Sequence, residues 1–178
     1  MRYLDGGGWR SIPYAELGDR VRALSKALVD SGVGAGDRVG IYSANCPEWT
    51  IADLSILAVG AVTVPVYATN TAKQCEFIVN DAGISLLFVG DQTQYDKVAA
   101  FSPETRALTK VVVIDRRTQL SEGTSEHFEE FVSRGAATSG DDDPAGRLAD
   151  AQTDDLATLI YTSGTTGDPK GAELTHAN

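Results

Sequence analysis

The sequence predicts an α/β fold in which a mostly parallel sheet is covered by helices on both faces. Two observations lead to this prediction. Short, nearly continuous apolar runs recur along the chain, at residues 38–43, 61–66, 84–89, 110–115 and 156–161. Such runs are typical of strands that are buried on both faces. Stretches with apolar residues at helical spacing separate the runs, and this alternation is typical of a parallel sheet with crossover helices.

The first helix is predicted over residues 13–31. Four apolar residues recur at spacings of four, three and four along one face: Leu17, Val21, Leu24 and Leu28. Pro13 suits the first turn of a helix, and Gly32 is expected to end it. The glycine-rich run at 32–36 is therefore interpreted as a helix stop and turn. A dinucleotide-binding fingerprint would instead follow a strand and open a helix.

Four more helices are predicted between the strands. One opens at Pro47 and is apolar on much of its circumference, so we expect it to be well buried. The others are predicted at 71–80, 92–100 and 125–134. The last of these carries three apolar residues on one side, namely Phe128, Phe131 and Val132.

Composition excludes some functions and leaves others open. Among 178 residues, Lys and Arg total 15 and Asp and Glu total 25, for a formal net charge of −10. This balance argues against nucleic acid as a partner and against simple electrostatic adhesion to anionic lipid. It does not exclude an anionic ligand, because backbone N–H groups can bind phosphate without net positive charge.

The chain shows no targeting or membrane signal. Its N-terminus lacks the apolar core of a signal peptide, and no run is long and apolar enough to span a bilayer. We therefore expect a cytoplasmic protein without a transmembrane segment. The two cysteines, Cys46 and Cys75, do not resemble a disulfide framework and are expected to be reduced, apolar fillers.

Residues 136–150 interrupt the alternation of strands and helices. Their small and acidic composition predicts an exposed connection. The run Asp141-Asp142-Asp143 lacks the spaced ligands of a calcium loop, so we interpret it as a solvated loop.

The segment most suited to chemistry follows the strand at 156–161. Its order is Thr162-Ser163-Gly164-Thr165-Thr166-Gly167-Asp168-Pro169-Lys170-Gly171. The glycines permit close backbone approach, four hydroxyls can donate to phosphate oxygens, and Lys170 supplies a cation. Because open α/β sheets bind ligands at the carboxyl ends of their strands, this loop is predicted to bind phosphate.

The loop is not a typical Walker A loop. Counting from Gly164, the lysine spacing fits, but Pro169 precedes the lysine and Gly171 follows it. Pro169 has no N–H to contribute to the phosphate-binding nest. A P-loop kinase or NTPase is therefore a disfavoured alternative.

Residues 161–171, extended by Leu174-Thr175-His176 and Asn178, resemble the phosphate-binding signature of the adenylate-forming enzyme superfamily. Segments at 36–41, 45–49 and 60–67 are similar to the opening region of the same family, in the same order. The stretches 66–70 and 78–82 look most like the long-chain fatty acid–CoA ligases.

This resemblance implies that residues 1–178 form the first part of the large N-terminal domain of an AMP-forming acyl-CoA synthetase, without its C-terminal domain. Such enzymes join a carboxylate to ATP, releasing pyrophosphate, and then transfer the acyl group to CoA, with Mg²⁺ as cofactor. The implied substrates are ATP, a fatty acid and CoA. Peripheral membrane association of the parent enzyme and its oligomeric state stay open. The alternatives are another adenylate-forming enzyme (an aryl-CoA ligase or a peptide-synthetase adenylation domain) or a non-catalytic nucleotide-binding module.

The resemblance also assigns roles to individual residues. Six of them are expected to cradle the β- and γ-phosphates: Thr162, Ser163, Gly164, Thr165, Thr166 and Gly167. Lys170 is the expected catalytic residue, stabilising the loop and the outgoing pyrophosphate, and Thr166 is a candidate Mg²⁺ contact. His176 is expected to hydrogen-bond near a strand-to-helix turn. Residues that hold adenine, the acyl chain and CoA are expected beyond Asn178, so the isolated chain is predicted to be inactive.

Overall fold

The computed structural model describes residues 1–103, 105, 107–121, 123, 125–138, 150–162 and 169–178. In chain order the elements are β1 (Arg2–Asp5), β2 (Gly8–Ser11), α1 (Tyr14–Asp30), β3 (Arg38–Ser43), α2 (Pro47–Ala58), β4 (Val62–Tyr67), α3 (Ala72–Ala82), β5 (Leu86–Val89), α4 (Gln92–Ala99), β6 (Lys110–Val113), β7 (Ser125–His127), α5 (Phe128–Ala137), β8 (Leu156–Thr162) and β9 (Lys170–Thr175).

The larger sheet confirms the predicted α/β architecture. In the described part of the chain its strand order is β7-β6-β5-β3-β4-β8-β9. Neighbouring strands are parallel throughout, except that β9 runs antiparallel to β8. Strand β3 lies between β4 and β5. The chain first adds β4 on one side of β3, and then crosses over to add β5 on the other side. The carboxyl ends of β3, β4, β5 and β8 share one edge of the sheet.

The apolar core has two layers, one on each face of the sheet. On one face α1, α2 and α5 cover the sheet, and the ring of Phe88 packs against those of Phe128 and Phe131 at centroid distances of 5.9 and 6.2 Å. On the other face α3 and α4 cover Tyr42, Leu87 and their neighbours. Burial on both faces explains why these strands are continuous apolar runs in the sequence.

The predicted helix over 125–134 begins later than expected. Residues Ser125–His127 form β7, which pairs in parallel with β6, and the helix starts at Phe128. An ion pair between Lys110 and Glu126 joins the two strands. The helix continues to Ala137, so the first two residues of the predicted connection at 136–150 are helical, and residues 139–149 lie outside the described part of the chain.

The expectation that the second helix is well buried is correct for one face only. Ile51 and Ile56 of α2 are inaccessible, whereas Leu54 is 40% exposed on the side that faces solvent. Helix α2 packs on α1, β3 and β4, and the sheet continues beyond it through β8. The all-round apolar pattern therefore reflects an uncovered surface as well as a core.

The turns and cysteines agree with the sequence prediction. Helix α1 ends at Asp30, and Gly32 and Gly36 have φ values of +87° and +77°, which favour glycine. Cys46 and Cys75 are free, and burial raises the pKa of the Cys75 thiol to about 12. No described helix has both the length and the apolarity that a bilayer crossing requires.

Candidate phosphate-binding site

The predicted phosphate loop lies at the tip of a β-hairpin. Strands β8 and β9 pair in antiparallel register, and Thr162 at the end of β8 faces Lys170 at the start of β9. Both residues are exposed. The structure therefore brings together the first and last of the predicted binding residues. The others, Ser163, Gly164, Thr165, Thr166 and Gly167, lie outside the described part of the chain.

His176 lies in the turn that directly follows β9, and the expected helix after this turn stays a prediction. The backbone N–H of His176 donates to the carbonyl of Asp155, with N and O 3.1 Å apart. Asp155 precedes β8, so His176 lies at the amino edge of the sheet, at the opposite end of the hairpin from the loop.

Thr162, which precedes the loop, lies at the carboxyl edge of the sheet. Strand β8 runs parallel to β4, with Thr63 paired to Thr158, whose hydroxyl donates to the Thr63 carbonyl at 2.8 Å. Each strand ends four residues further on, at Tyr67 and Thr162. Thr162 therefore lies at the carboxyl edge, where open α/β sheets bind their ligands, and phosphate binding by the loop stays a prediction.

A small cavity of about 100 Å³ lies between the base of the hairpin and the start of α3. Its lining residues come from β4, α3 and the hairpin: Tyr67, Asn70, Gln74, Ile78, Tyr161, Thr162 and Pro169. Tyr67 is 64% exposed at its mouth. Thr162, the last residue of β8, therefore lies beside a concave surface to which β4 and α3 contribute.

The segment after β4, which forms one wall of this cavity, is held by two hydrogen-bond donors. The carbonyl oxygen of Asn70 accepts from the Tyr42 hydroxyl at 2.6 Å and from Lys97 Nζ at 2.9 Å. Burial raises the pKa of Tyr42, so its hydroxyl stays protonated and able to donate. Strand β3 and helix α4 thus jointly hold the segment between β4 and α3.

The start of α3 is closed by its own side chains. Thr71 and Gln74 form a capping box, in which the Thr71 hydroxyl accepts from the Gln74 N–H and Gln74 Oε1 accepts from the Thr71 N–H. These bonds satisfy backbone donors of the first turn. The Gln74 side chain at the cavity is therefore committed to the cap.

The stem of the loop is tied to α3. Tyr161, next to Thr162, is 6% exposed, and its hydroxyl donates to Asp81 Oδ2 at 2.6 Å. Burial, followed by the nearby Asp81 carboxylate, raises the pKa of Tyr161. Sequence reasoning missed Asp81, Tyr42 and Lys97, because no local pattern marks residues whose partners lie far along the chain.

The chemistry of the loop suits a phosphate-bound Mg²⁺ better than a protein-only metal site. No described group of three or more His, Cys, Asp or Glu side chains could hold a metal ion. Mg²⁺ usually takes one or two protein ligands together with substrate phosphates and water. The hydroxyls of residues 162–166 are of the chemical type that can supply one such ligand, and the candidate, Thr166, lies outside the described residues.

The sequence comparison identifies the family of this chain, and the fold agrees with it. Residues 2–178 match the AMP-binding enzyme family, and the chain belongs to that family. Over its whole length it is 41% identical to the long-chain-fatty-acid–CoA ligase FadD15 of Mycobacterium bovis. Over 97% of its length it is 35% identical to the peroxisomal long chain acyl-CoA synthetase 6 of Arabidopsis thaliana.

Solved structures share the fold. The crystal structure of an acyl-CoA synthetase from Brucella canis superposes with a TM-score of 0.76 at 24% identity, covering 96% of this chain and 29% of that one. The chain spans 28% of the length of the Mycobacterium bovis ligase and 24% of the length of the Arabidopsis synthetase. It therefore corresponds to a part of these relatives.

Proposed function

We propose that this chain is the ATP phosphate-binding part of an AMP-forming long-chain fatty acid–CoA ligase. The observation that carries the proposal is the match of the whole chain, including the loop at 161–171, to ligases of that class. The position of the hairpin tip at the carboxyl edge of the sheet supports it. On this proposal residues 1–178 are the first part of a larger N-terminal domain, and the acidic connection expected at 136–150 begins only after α5, at residue 138.

The residues at the hairpin tip would mainly neutralise the negative charge of the ATP phosphates. Attack of a carboxylate on the α-phosphate of ATP brings two anions together, so the phosphates must be neutralised and aligned. The hydroxyls and backbone N–H groups of residues 162–167 would hold the β- and γ-phosphates. Lys170, facing Thr162 across the hairpin, would stabilise the loop and the departing pyrophosphate.

Mg²⁺, when bound with ATP, would supply further neutralisation of the phosphate charge. Thr166 is the proposed contact from this chain. The fatty acid, CoA and adenine would be held by parts of the longer enzyme. The setting we propose is cytoplasmic, with small molecules rather than nucleic acid as partners.

The isolated chain is expected to catalyse no pyrophosphate exchange into ATP with any member of a panel of fatty acids of different length. The reason is that the phosphate loop alone cannot hold the acyl group in line with the α-phosphate. The measurement is incorporation of labelled pyrophosphate into ATP, with the Mycobacterium bovis ligase as the positive control. Robust exchange by the isolated chain would contradict the proposal.

A chimaera supplies the complementary test. Replacing the matching segment of the Mycobacterium bovis ligase by this chain is expected to give an enzyme that forms long-chain acyl-CoA. The same chimaera carrying Lys170→Ala is expected to lose most of this activity. A chimaera that folds and binds ATP but does not form acyl-CoA would count against the long-chain ligase assignment.

A further inference from the structure

One partly buried hydrogen bond connects Tyr161, at the end of β8, to a helix from a distant part of the sequence. The Tyr161 hydroxyl donates to Asp81 Oδ2 at 2.6 Å, a length typical of a bond from a hydroxyl to an ionised carboxylate. Asp81 lies in the last turn of α3, and Tyr161 is the second-last residue of β8. The bond therefore holds β8 at the point where the strand passes into the loop.

The other strand of the hairpin leaves room for the same ring. Gly171 of β9 is the cross-strand partner of Tyr161. A Cβ atom at position 171 would lie 3.1 Å from Cζ and 3.3 Å from the hydroxyl oxygen of Tyr161, closer than most real contacts. The Tyr161 ring therefore lies against the backbone of β9 one residue beyond Lys170. The Tyr161 ring therefore connects the end of β8, which carries it, with the start of β9, against which it packs.

Asp81 is not part of the apolar core, so its substitution is not expected to unfold the chain. Asp81 is exposed on α3, whereas Tyr161 is a buried member of the apolar layer under α3 and α4. Removing the bond is expected to free the hairpin base while the sheet and its two apolar layers persist. By contrast Tyr95, which is 5% exposed, donates to the Ser125 hydroxyl at 3.2 Å and belongs to the same layer at a distance from the hairpin.

We propose that Asp81 is a positioning residue for the phosphate loop, acting through Tyr161 to hold Thr162 and Lys170 in the register that binds phosphate. This inference rests on the proposed function, since it assumes that the loop binds the phosphates of ATP. Asp81 does not touch the phosphates. It holds the strand ends between which they bind.

The test compares four variants of the full chain: Asp81→Ala, Tyr161→Phe, their double mutant, and Asp81→Asn. Two quantities are measured, the affinity for MgATP and the hydrogen-exchange rates of the amides of residues 161, 162, 170 and 171. Asp81→Ala and Tyr161→Phe each remove the bond. Each is expected to lower the affinity for MgATP about tenfold and to speed amide exchange at the four hairpin residues by a similar factor. The double mutant is expected to be no worse than either single variant, because both remove the same bond. Asp81→Asn retains an acceptor oxygen and is expected to recover most of the affinity.

Tyr95→Phe is the matched control, since it also removes a buried tyrosine hydroxyl. It is expected to lower stability without changing MgATP affinity or exchange at the hairpin base. Unchanged exchange and affinity in Tyr161→Phe would overturn the proposal, as would equal losses in Tyr95→Phe. If the wild-type chain binds no MgATP, the proposed function fails, and the exchange rates alone still decide whether Asp81 holds the hairpin base.

Discussion

Gly135→Ala is expected to destabilise the chain by about 3 kcal/mol or more, among the largest effects of any single methyl group. Gly135 lies in α5 where this helix crosses α1. A Cβ atom there would lie 2.0 Å from the carbonyl oxygen of Ala23 and 2.6 Å from the backbone N of Ala27. Backbone atoms cannot rotate away, so the two helices would have to separate. Urea unfolding gives the change in free energy directly.

Gly18→Ala is the matched control on α1. A Cβ atom at position 18 would meet only the guanidinium of Arg22, at 3.5 Å, which is an ordinary contact. Because alanine favours the helix over glycine, this variant is expected to be more stable by about 0.5–1 kcal/mol. If Gly135→Ala were as stable as the wild-type chain, the packing of α5 on α1 would be wrong.

Lys170→Ala is expected to weaken MgATP binding by the isolated chain tenfold or more. A hydrogen bond to a charged group contributes about 1.5–3 kcal/mol, which corresponds to roughly 10- to 100-fold in affinity. Lys170 is exposed at the start of β9, so its removal costs little stability. Titration calorimetry or amide shifts measure the affinity.

Two further variants identify the source of the loss. Lys170→Arg keeps the charge and is expected to retain part of the affinity, although a guanidinium is not equivalent to an ammonium. Lys26→Ala removes a lysine from α1, away from the hairpin, and is expected to bind MgATP as the wild type does. Equal losses in Lys26→Ala and Lys170→Ala would indicate a non-specific effect of net charge.

The sequence predicted the parallel core of the fold well, because burial on both faces leaves a strong local signal. Strands such as Arg38–Ser43 are continuous apolar runs, and α5 shows its buried face as Phe128, Phe131 and Val132. Elements at the margins of the sheet leave weaker signals. Strand β7 has the polar sequence Ser-Glu-His, and only its pairing with β6 makes it a strand.

Strand β9 was missed in the sequence analysis for a similar reason. Its residues, Lys170–Thr175, are mostly exposed and show no clear alternation of apolar and polar side chains. The hairpin β1–β2 has a recognisable signal in the glycines at 6–8, between Tyr3-Leu4 and Trp9, but its strands are short and exposed. Strands of this kind depend on pairing rather than on pattern.

The candidate site also has a part that the sequence predicts and a part that it does not. The predicted binding residues all lie within 162–170, so the composition of this one segment indicated phosphate. The residues that position them lie outside this segment. Asp81 lies 80 positions from Tyr161, and Tyr42 and Lys97 meet at Asn70 from different elements. Such contacts arise from the order of the strands in the sheet and have no local signature.

The central claim is that the hairpin tip of this chain binds the phosphates of ATP. The most direct measurement is a titration of the ¹⁵N-labelled chain with MgATP, followed by amide chemical shifts. We expect binding on the order of 1 mM, equivalent to about −4 kcal/mol, with shifts confined to residues 161–171 and to the adjoining segment at 67–71. Absence of any shift at the hairpin tip, or shifts confined to the opposite edge around Asp155 and His176, would contradict the claim.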